Sequence, residues 1–420
     1  MPESTLHTRR KFLRTTILGG AAAWTLPAFI DRTFAALDTA AAGSAVQTAT
    51  GRDSSILVIL QLSGGNDGLN TVIPYTDDAY HRVRPRLGIP QRSVLRLDDH
   101  IGLHPRLQKL ANLYHEGGAT VVQGVGYPNP NRSHFRSMEI WQTASDANRT
   151  ERHGWLGRYF DNCCKGEDPA EGVSLGEQMP QAFSAAEPRG IALKNPDRFR
   201  FADDNEVMDT EADGGSIDGL AGGTKSDLDA FHYIERVALD AQVASDRIAD
   251  IVKRQPASPD YPRSRLGQDL QLVSRLIAGG MPTRVYYVSM GGFDTHANQA
   301  GTHEQLLGQL DDALAAFAKD MRVQGNFDRV RLLTFSEFGR RVAENGSGGT
   351  DHGTAAPMFI LGGGIHPGLA GIAPSLTDLD AGDLKYTVDF RSVYATLLER
   401  WLKAPSATVL GRRFPLLNFA

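Results

Sequence analysis

Arg329-Val330-Arg331-Leu332-Leu333-Thr334-Phe335 runs straight into Ser336-Glu337-Phe338-Gly339-Arg340-Arg341. The chain then crosses a glycine-rich stretch from Asn345 to Gly349 and Thr350-Asp351-His352-Gly353-Thr354, and enters a second apolar run, Ala356-Pro357-Met358-Phe359-Ile360-Leu361. Both apolar runs have the length and composition of buried strands. A carboxylate, Glu337, stands just past the first, and the pair Asp351 and His352 just before the second. Open α/β sheets carry their chemistry outside the carboxyl ends of their strands. The stretch therefore predicts a three-layer α/β/α sandwich with a mostly parallel central sheet and a site over one rim.

Three earlier segments follow the same order of strand, break and polar group. Ile56-Leu57-Val58-Ile59-Leu60-Gln61-Leu62 is a nearly continuous apolar run, as expected of a central strand covered on both faces, and it ends in Ser63-Gly64-Gly65-Asn66-Asp67-Gly68. The glycines allow a sharp turn that aims Asn66 or Asp67 above the sheet, although Asn-Asp-Gly is also ordinary turn chemistry. Ala119 to Val125 is the next strand, followed by Tyr127-Pro128-Asn129-Pro130-Asn131-Arg132-Ser133-His134-Phe135. The prolines and asparagines punctuate a helix start that runs on to about Thr143. Ser133 falls at or near the first turn, where free N–H groups stabilise an anion; it or Asn131 also suits a plain N-cap. Arg284 to Met290 is a further strand, broken by Gly291-Gly292 ahead of Phe293-Asp294-Thr295-His296. Asp294 and His296, two apart at a strand end, are a ligand arrangement for a divalent cation.

With 420 residues and 41% hydrophobic content the chain can bury a large core, and a net charge of −5 without a clustered basic face argues against nucleic-acid partners. The first 45 residues look like an address. Thr8-Arg9-Arg10-Lys11-Phe12-Leu13-Arg14 resembles a twin-arginine export signal, and the apolar run from Thr15 to Leu26 falls short of the roughly 20 residues that span a bilayer. A cleaved leader is expected, with the twin-arginine machinery as a partner, no stable membrane span afterwards, and a periplasmic or extracellular destination. The two cysteines, Cys163-Cys164, are adjacent and cannot staple distant segments.

The rest forms one α/β domain from 46 to 420, with a cap or insertion around 155–280. Helices are expected over Leu103 to Gly117, Gly154 to Phe160, Asp227 to Lys253, Arg265 to Ile277, His303 to Val323 and Val388 to Leu402. Residues 196–228, rich in Asp, Glu, Gly and Ser, suggest an excursion.

The strand-end loops thus offer Asn66, Asp67, Asp294, His296, Glu337, Asp351 and His352 as metal ligands and Ser133 as a hydroxyl. Such a set can hold one or two divalent ions (Zn, Mn, Ca or Mg), and a hydroxyl beside them would ionise more easily. Arg132 and Arg340 are candidate oxyanion clamps, because guanidinium matches phosphate or sulfate bidentately.

Gln61 to Asn70, Gly126 to Phe135, Gly291 to His296, Phe335 to Arg340 and Asp351 to Pro357 together resemble the DUF1501 family, a group within the alkaline phosphatase/sulfatase superfamily. The resemblance spans about 54 to 415. It implies Asp67 (or Asn66) as a metal-bridging ligand, Ser133 as nucleophile, Asp294 and His296 as a first-metal pair, His352 as the late His ligand, and Glu337 in place of a strand-end Asp. Two departures stand out. Phe338 occupies the position of an expected Asp-His pair, and the Asp294–His296 spacing is shorter than Asp-x-x-x-His. The expected function is an exported metal-dependent hydrolase of phosphate or sulfate esters acting on a small-molecule or glycan ester. The alternative is a non-catalytic scaffold that binds a glycan or a partner protein. A metal-free Ser-His-Asp esterase ranks third, since Ser133 and His134 are adjacent and no Gly-x-Ser-x-Gly elbow surrounds the serine.

Overall fold

The apolar runs become strands because each can bury both faces. In chain order they are β1 (Ile56–Leu62), β2 (Ala119–Gly126), β3 (Gly172–Leu175), β4 (Ile191–Leu193), β5 (Val285–Met290), β6 (Val330–Phe335), β7 (Ala356–Leu361), β8 (Gly368–Ala370) and β9 (Val388–Asp389). The structure, a computed structural model, describes residues 55–163, 170–176, 178–186, 190–193 and 243–419. These strands form one nine-stranded sheet in the order β8-β2-β7-β6-β1-β5-β3-β4, with β9 also paired to β2.

Side chains alternate across the sheet with period two. Val58, Leu60 and Leu62 face one apolar layer with Leu110, Leu270, Leu310 and Leu314. Leu57 and Ile59 face the other, with Trp141, Trp155, Phe390 and Tyr394. The first layer is built by α1 (Gln108–His115), a helix across 243–254, and two longer helices, Arg265–Ala278 and Gln299–Val323. The second is built by helices His134–Thr143, Trp155–Cys163 and Phe390–Thr396. Each fully buried Leu, Ile or Phe contributes about 1.5–3 kcal/mol. Three layers, with the sheet in the middle, are the arrangement the strand pattern predicts.

Strand direction fixes where the chemistry sits. β1 runs parallel to β5 and β6, and β3 runs parallel to β5 and β4. β7 is antiparallel to both β2 and β6. The link from β6 to β7 contains no crossover helix, so the chain turns back from the rim it has just reached; a parallel return would need a crossover. The carboxyl ends of β1, β2, β5 and β6 and the amino end of β7 therefore share one rim.

Several boundaries differ from the sequence expectation. Leu103 pairs in a short strand (Gly102–Leu103) and Leu107 caps α1, which shortens that helix. The helix expected from His303 begins at Gln299. The 388–402 stretch is a helix over Phe390–Thr396 that widens to a π-helical turn at Leu397–Trp401. The 155–280 span contributes β3, β4 and the Arg265–Ala278 helix to the main layers, because Val173, Leu175 and Leu193 are apolar enough to extend the sheet. The export leader, the 196–228 excursion, residues 227–242 of an expected helix and the side chains of Cys163-Cys164 lie outside the described residues. No helix among the described residues is long and apolar enough to cross a membrane.

Candidate metal centre

Glycine lets the rim loops touch. Gly64 and Gly65 have φ of 117° and 80°, and a Cβ on Gly64 would stand 2.4 Å from the Asp294 backbone nitrogen. A Cβ on Gly65 would strike the Phe338 ring at 2.4 Å, so only glycine admits this approach.

Around the contact, Asp294 is the hub. Its Oδ1 lies 3.0 Å from His296 Nε2 and 3.1 Å from His352 Nε2, and those two nitrogens are 2.9 Å apart. Its Oδ2 lies 3.5 Å from His134 Nε2. Nε2 of His134, Nε2 of His352 and the Asp294 carboxylate fall within 4.8 Å of one another. His296 and His352 share Oδ1 while His134 faces Oδ2, so Asp294 stands between two groups of imidazoles.

The outer nitrogens of the three rings are all committed. His134 Nδ1 faces Glu337 Oε1 at 2.9 Å, His296 Nδ1 faces Asp351 Oδ1 at 3.3 Å, and His352 Nδ1 faces the Arg132 carbonyl at 2.8 Å. A carbonyl or carboxylate oxygen only accepts, so each Nδ1 carries the proton. The Nε2 lone pairs of His296 and His352 then face each other and Asp294 Oδ1, while that of His134 faces Asp294 Oδ2. That array repels itself until a cation or added protons enter it. Histidine ligands to metals are held in this way, with the far N–H on a carboxylate or carbonyl. Tetrahedral zinc with bonds near 2.05 Å has ligand–ligand edges of about 3.3 Å, close to the separations here, so these residues fit a divalent ion.

Arg340 balances part of the charge. It is 1% exposed and spans the rim, donating from Nε to the Gly65 carbonyl (2.6 Å), from Nη1 to that of Thr350 (2.7 Å), and from Nη2 to Phe293 O (3.0 Å), Gly64 O and Asp294 Oδ1 (2.7 Å). Burial raises the Asp294 carboxyl, but the hydrogen bond and charge of Arg340 outweigh it and hold the carboxyl below its ordinary range. At Asp351 the Asn345 hydrogen bond, aided by His296, also keeps the carboxyl below its usual range.

The expected site residues thus divide. Asp294, His296, Asp351 and His352 come together, with Asp351 orienting His296. Glu337 sits behind His134: its Oε1 accepts from that ring and from Gly64 N–H (2.8 Å), and its Oε2 from Ser336 Oγ (3.3 Å), so it orients a ligand and is not one itself. Asn66 and Asp67 lie in a separate buried network and are corrected as ligands. Asn66 Oδ1 accepts from His303 Nε2 (2.9 Å), and Asp67 Oδ2 accepts from Arg84 Nη1 (2.6 Å) and Gln299 Nε2 (2.5 Å). Arg340 is corrected as an oxyanion clamp, since it is filled by backbone carbonyls and Asp294. Arg132 is paired with the buried Asp383. Ser133 occupies the N-cap position of the His134–Thr143 helix without capping it, exposed, with its hydroxyl free of hydrogen bonds among the described residues.

His134 was missed as a ligand. The signal was present: it is the first residue of a helix following a strand end, and helical side chains lean back toward the N-terminus and so toward the rim. Phe338, buried against His134 (ring centroids 5.0 Å) and His352 (4.4 Å), fills the space of the expected Asp-His pair. The Glu337→Gln variant should lose about 10- to 100-fold in divalent-ion affinity while staying folded. A chelator-competition titration measures this, and wild-type affinity would reduce Glu337 to a core residue.

Fold and site together define a mixed α/β protein with a carboxylate–imidazole centre over the carboxyl ends of a mostly parallel sheet. The chain belongs to the DUF1501 family, described as a protein of unknown function, whose model matches residues 54–403. Among solved structures it is similar to a protein in the alkaline phosphatase superfamily from Vibrio parahaemolyticus (10% identity, 86% of this chain and 70% of that one, TM-score 0.38). It is also similar to the PsFucS1 sulfatase from Pseudoalteromonas sp. (9%, 87% and 69%, 0.35). A third is the C-terminal periplasmic domain of EcEptC from Escherichia coli in complex with Zn (10%, 74% and 74%, 0.34). No curated protein matches the chain in sequence.

Proposed function

We propose that this protein is an exported, metal-dependent hydrolase of phosphate or sulfate esters. One observation carries the reading: three imidazoles with their Nδ1 protons committed, turning three Nε2 lone pairs onto the Asp294 carboxylate. A nitrogen-rich set favours zinc over calcium or magnesium. Asn66, Asp67 and Glu337 are engaged elsewhere and Phe338 fills the neighbouring space, which favours a single centre over a pair. Bound there, the ion would supply Lewis-acid stabilisation of charge on a phosphoryl or sulfuryl oxygen.

The chain's own groups supply the rest. Ser133 stands one residue before His134, with its hydroxyl unengaged. Its attack on phosphorus or sulfur would form the Ser133 ester and release the substrate alcohol; water would then cleave that ester and restore the serine. With Arg340 filled and Arg132 paired, the oxyanion falls to the open N–H groups of the helix starting at His134. The helix has no side-chain cap to compete for them.

The Ser133→Ala variant should lose at least about a thousandfold in turnover of aryl phosphate or aryl sulfate, with metal content by elemental analysis unchanged. Undiminished turnover removes the nucleophile assignment. A second reading has support from Phe338 and the paired arginines: a scaffold that holds the ion and binds without turning over. Full metal occupancy with no turnover on either ester would select it. Export by the twin-arginine route belongs to the same proposal, tested by exchanging Arg9 and Arg10 for lysine and following where the protein accumulates.

A further inference from the structure

Beside the histidine centre lies a groove that ester cleavage leaves unused. It is open to solvent, has a volume of about 480 Å³, and has Asn129, Asn131, Arg132, Thr354, Asp380 and Asp383 among its walls. It adjoins the centre directly, because the Arg132 carbonyl holds His352 Nδ1 and Thr354 follows His352 by two residues.

The charges around it cancel. Asp383, buried, pairs with Arg132 through Oδ2, and Arg341 Nε lies 3.6 Å from its Oδ1; exposed Asp380 adds a second carboxylate against the two arginines. A balanced wall gives a polyanion no net attraction. It does present unused donors and acceptors. The Asn129 amide, the Asp380 carboxylate, and Nε and Nη1 of Arg132 make no hydrogen bonds among the described residues. Hydroxyl groups, which donate and accept at once, match such a mixed wall. The wall is also rigid. Asn129 sits between two prolines at φ 53°, so little conformational freedom is lost on binding. The same helix start holds Phe135 90% exposed, an aromatic face of the kind that packs against ring C–H groups.

We infer that this groove binds a neutral, polyhydroxylated carbohydrate chain and presents it to the centre next door. That the chain carries the ester to be cleaved rests on the hydrolase reading; that the groove binds it does not. The test is binding of as-purified protein to an array of neutral oligosaccharides, followed by titration of the best binder. Asp380→Ala and Asn129→Gly, the latter keeping the positive φ at no steric cost, should each weaken binding about tenfold. Metal content and melting temperature should not move. Failure of the wild type to bind any neutral oligosaccharide overturns the inference, and so does equal binding by both variants. If turnover is absent while the variants still lose the carbohydrate, the hydrolase reading fails and the groove assignment stands.

Discussion

Asp294→Asn protein is expected to fold and to come through dialysis without its divalent ion. Asparagine keeps the volume and leaves an oxygen for Arg340 Nη2, now 2.7 Å from Asp294 Oδ1. It removes the one negative charge that both imidazole groups face. Supporting groups behind a ligand are worth 10- to 100-fold in affinity, so loss of the hub itself should exceed about 100-fold. Two measurements check this independently. Elemental analysis should fall from one equivalent to background. Added zinc at about 100 times the dissociation constant should stabilise the wild type by about 2.7 kcal/mol and leave the variant's melting temperature unmoved. A variant that keeps the ion at wild-type affinity would sink the metal-centre assignment and leave the three histidines as a polar cluster.

The legible part of this protein is the part governed by local pattern. Ile56 to Leu62 could only be a strand buried on two faces, and the breaks after Leu62, Met290 and Phe335 marked where side chains turn out over the rim. Residue type alone could not show which way each polar group turns. Asp67 and Asp294 both follow a glycine pair at a strand end, yet one is buried on Arg84 and the other is half exposed among imidazoles. That difference is made by Arg84, 17 residues on, and Gln299, 232 residues away, both silent in the local motif. Arg340 was legible as an arginine near the site, but its saturation depends on carbonyls from four separate positions, Gly64, Gly65, Phe293 and Thr350. His134 stands in plain view at the helix start, but nothing in its local motif distinguishes it from an ordinary first-turn residue; Glu337, 203 residues away, is what turns its ring to the rim. The antiparallel turn of β7 was hidden for a different reason: apolar composition fixes that a strand exists and is neutral about its direction.

The contrast between the two aspartates gives the second large effect, and it runs through stability. Asp67→Ala should cost about 3–5 kcal/mol, because it strands the fully buried Arg84 guanidinium without its counter-charge. Arg84 would keep its hydrogen bonds to Asn70 Oδ1 (2.8 Å) and the Val342 carbonyl (2.8 Å), so the charge stays trapped instead of swinging into water. The pH dependence follows from the same pair. Burial pushes the Asp67 carboxyl up, but the Arg84 charge and hydrogen bond, with help from Gln299, bring its pKa below the ordinary value. A depressed carboxyl stabilises the fold fully above its unfolded pKa of about 3.9 and loses that contribution as pH falls through the folded value. The gap in urea midpoint between wild type and Asp67→Ala should therefore be widest near neutrality and shrink below about pH 4. Replacing both partners with apolar side chains, Asp67→Leu with Arg84→Met, should recover much of the loss, since the penalty comes from the unpaired charge. Metal content separates this role from the one first expected of the residue. The folded fraction of Asp67→Ala should hold the same equivalent of ion as the wild type. A variant that is fully stable and metal-free would return Asp67 to the ligand set and leave its pairing with Arg84 incidental.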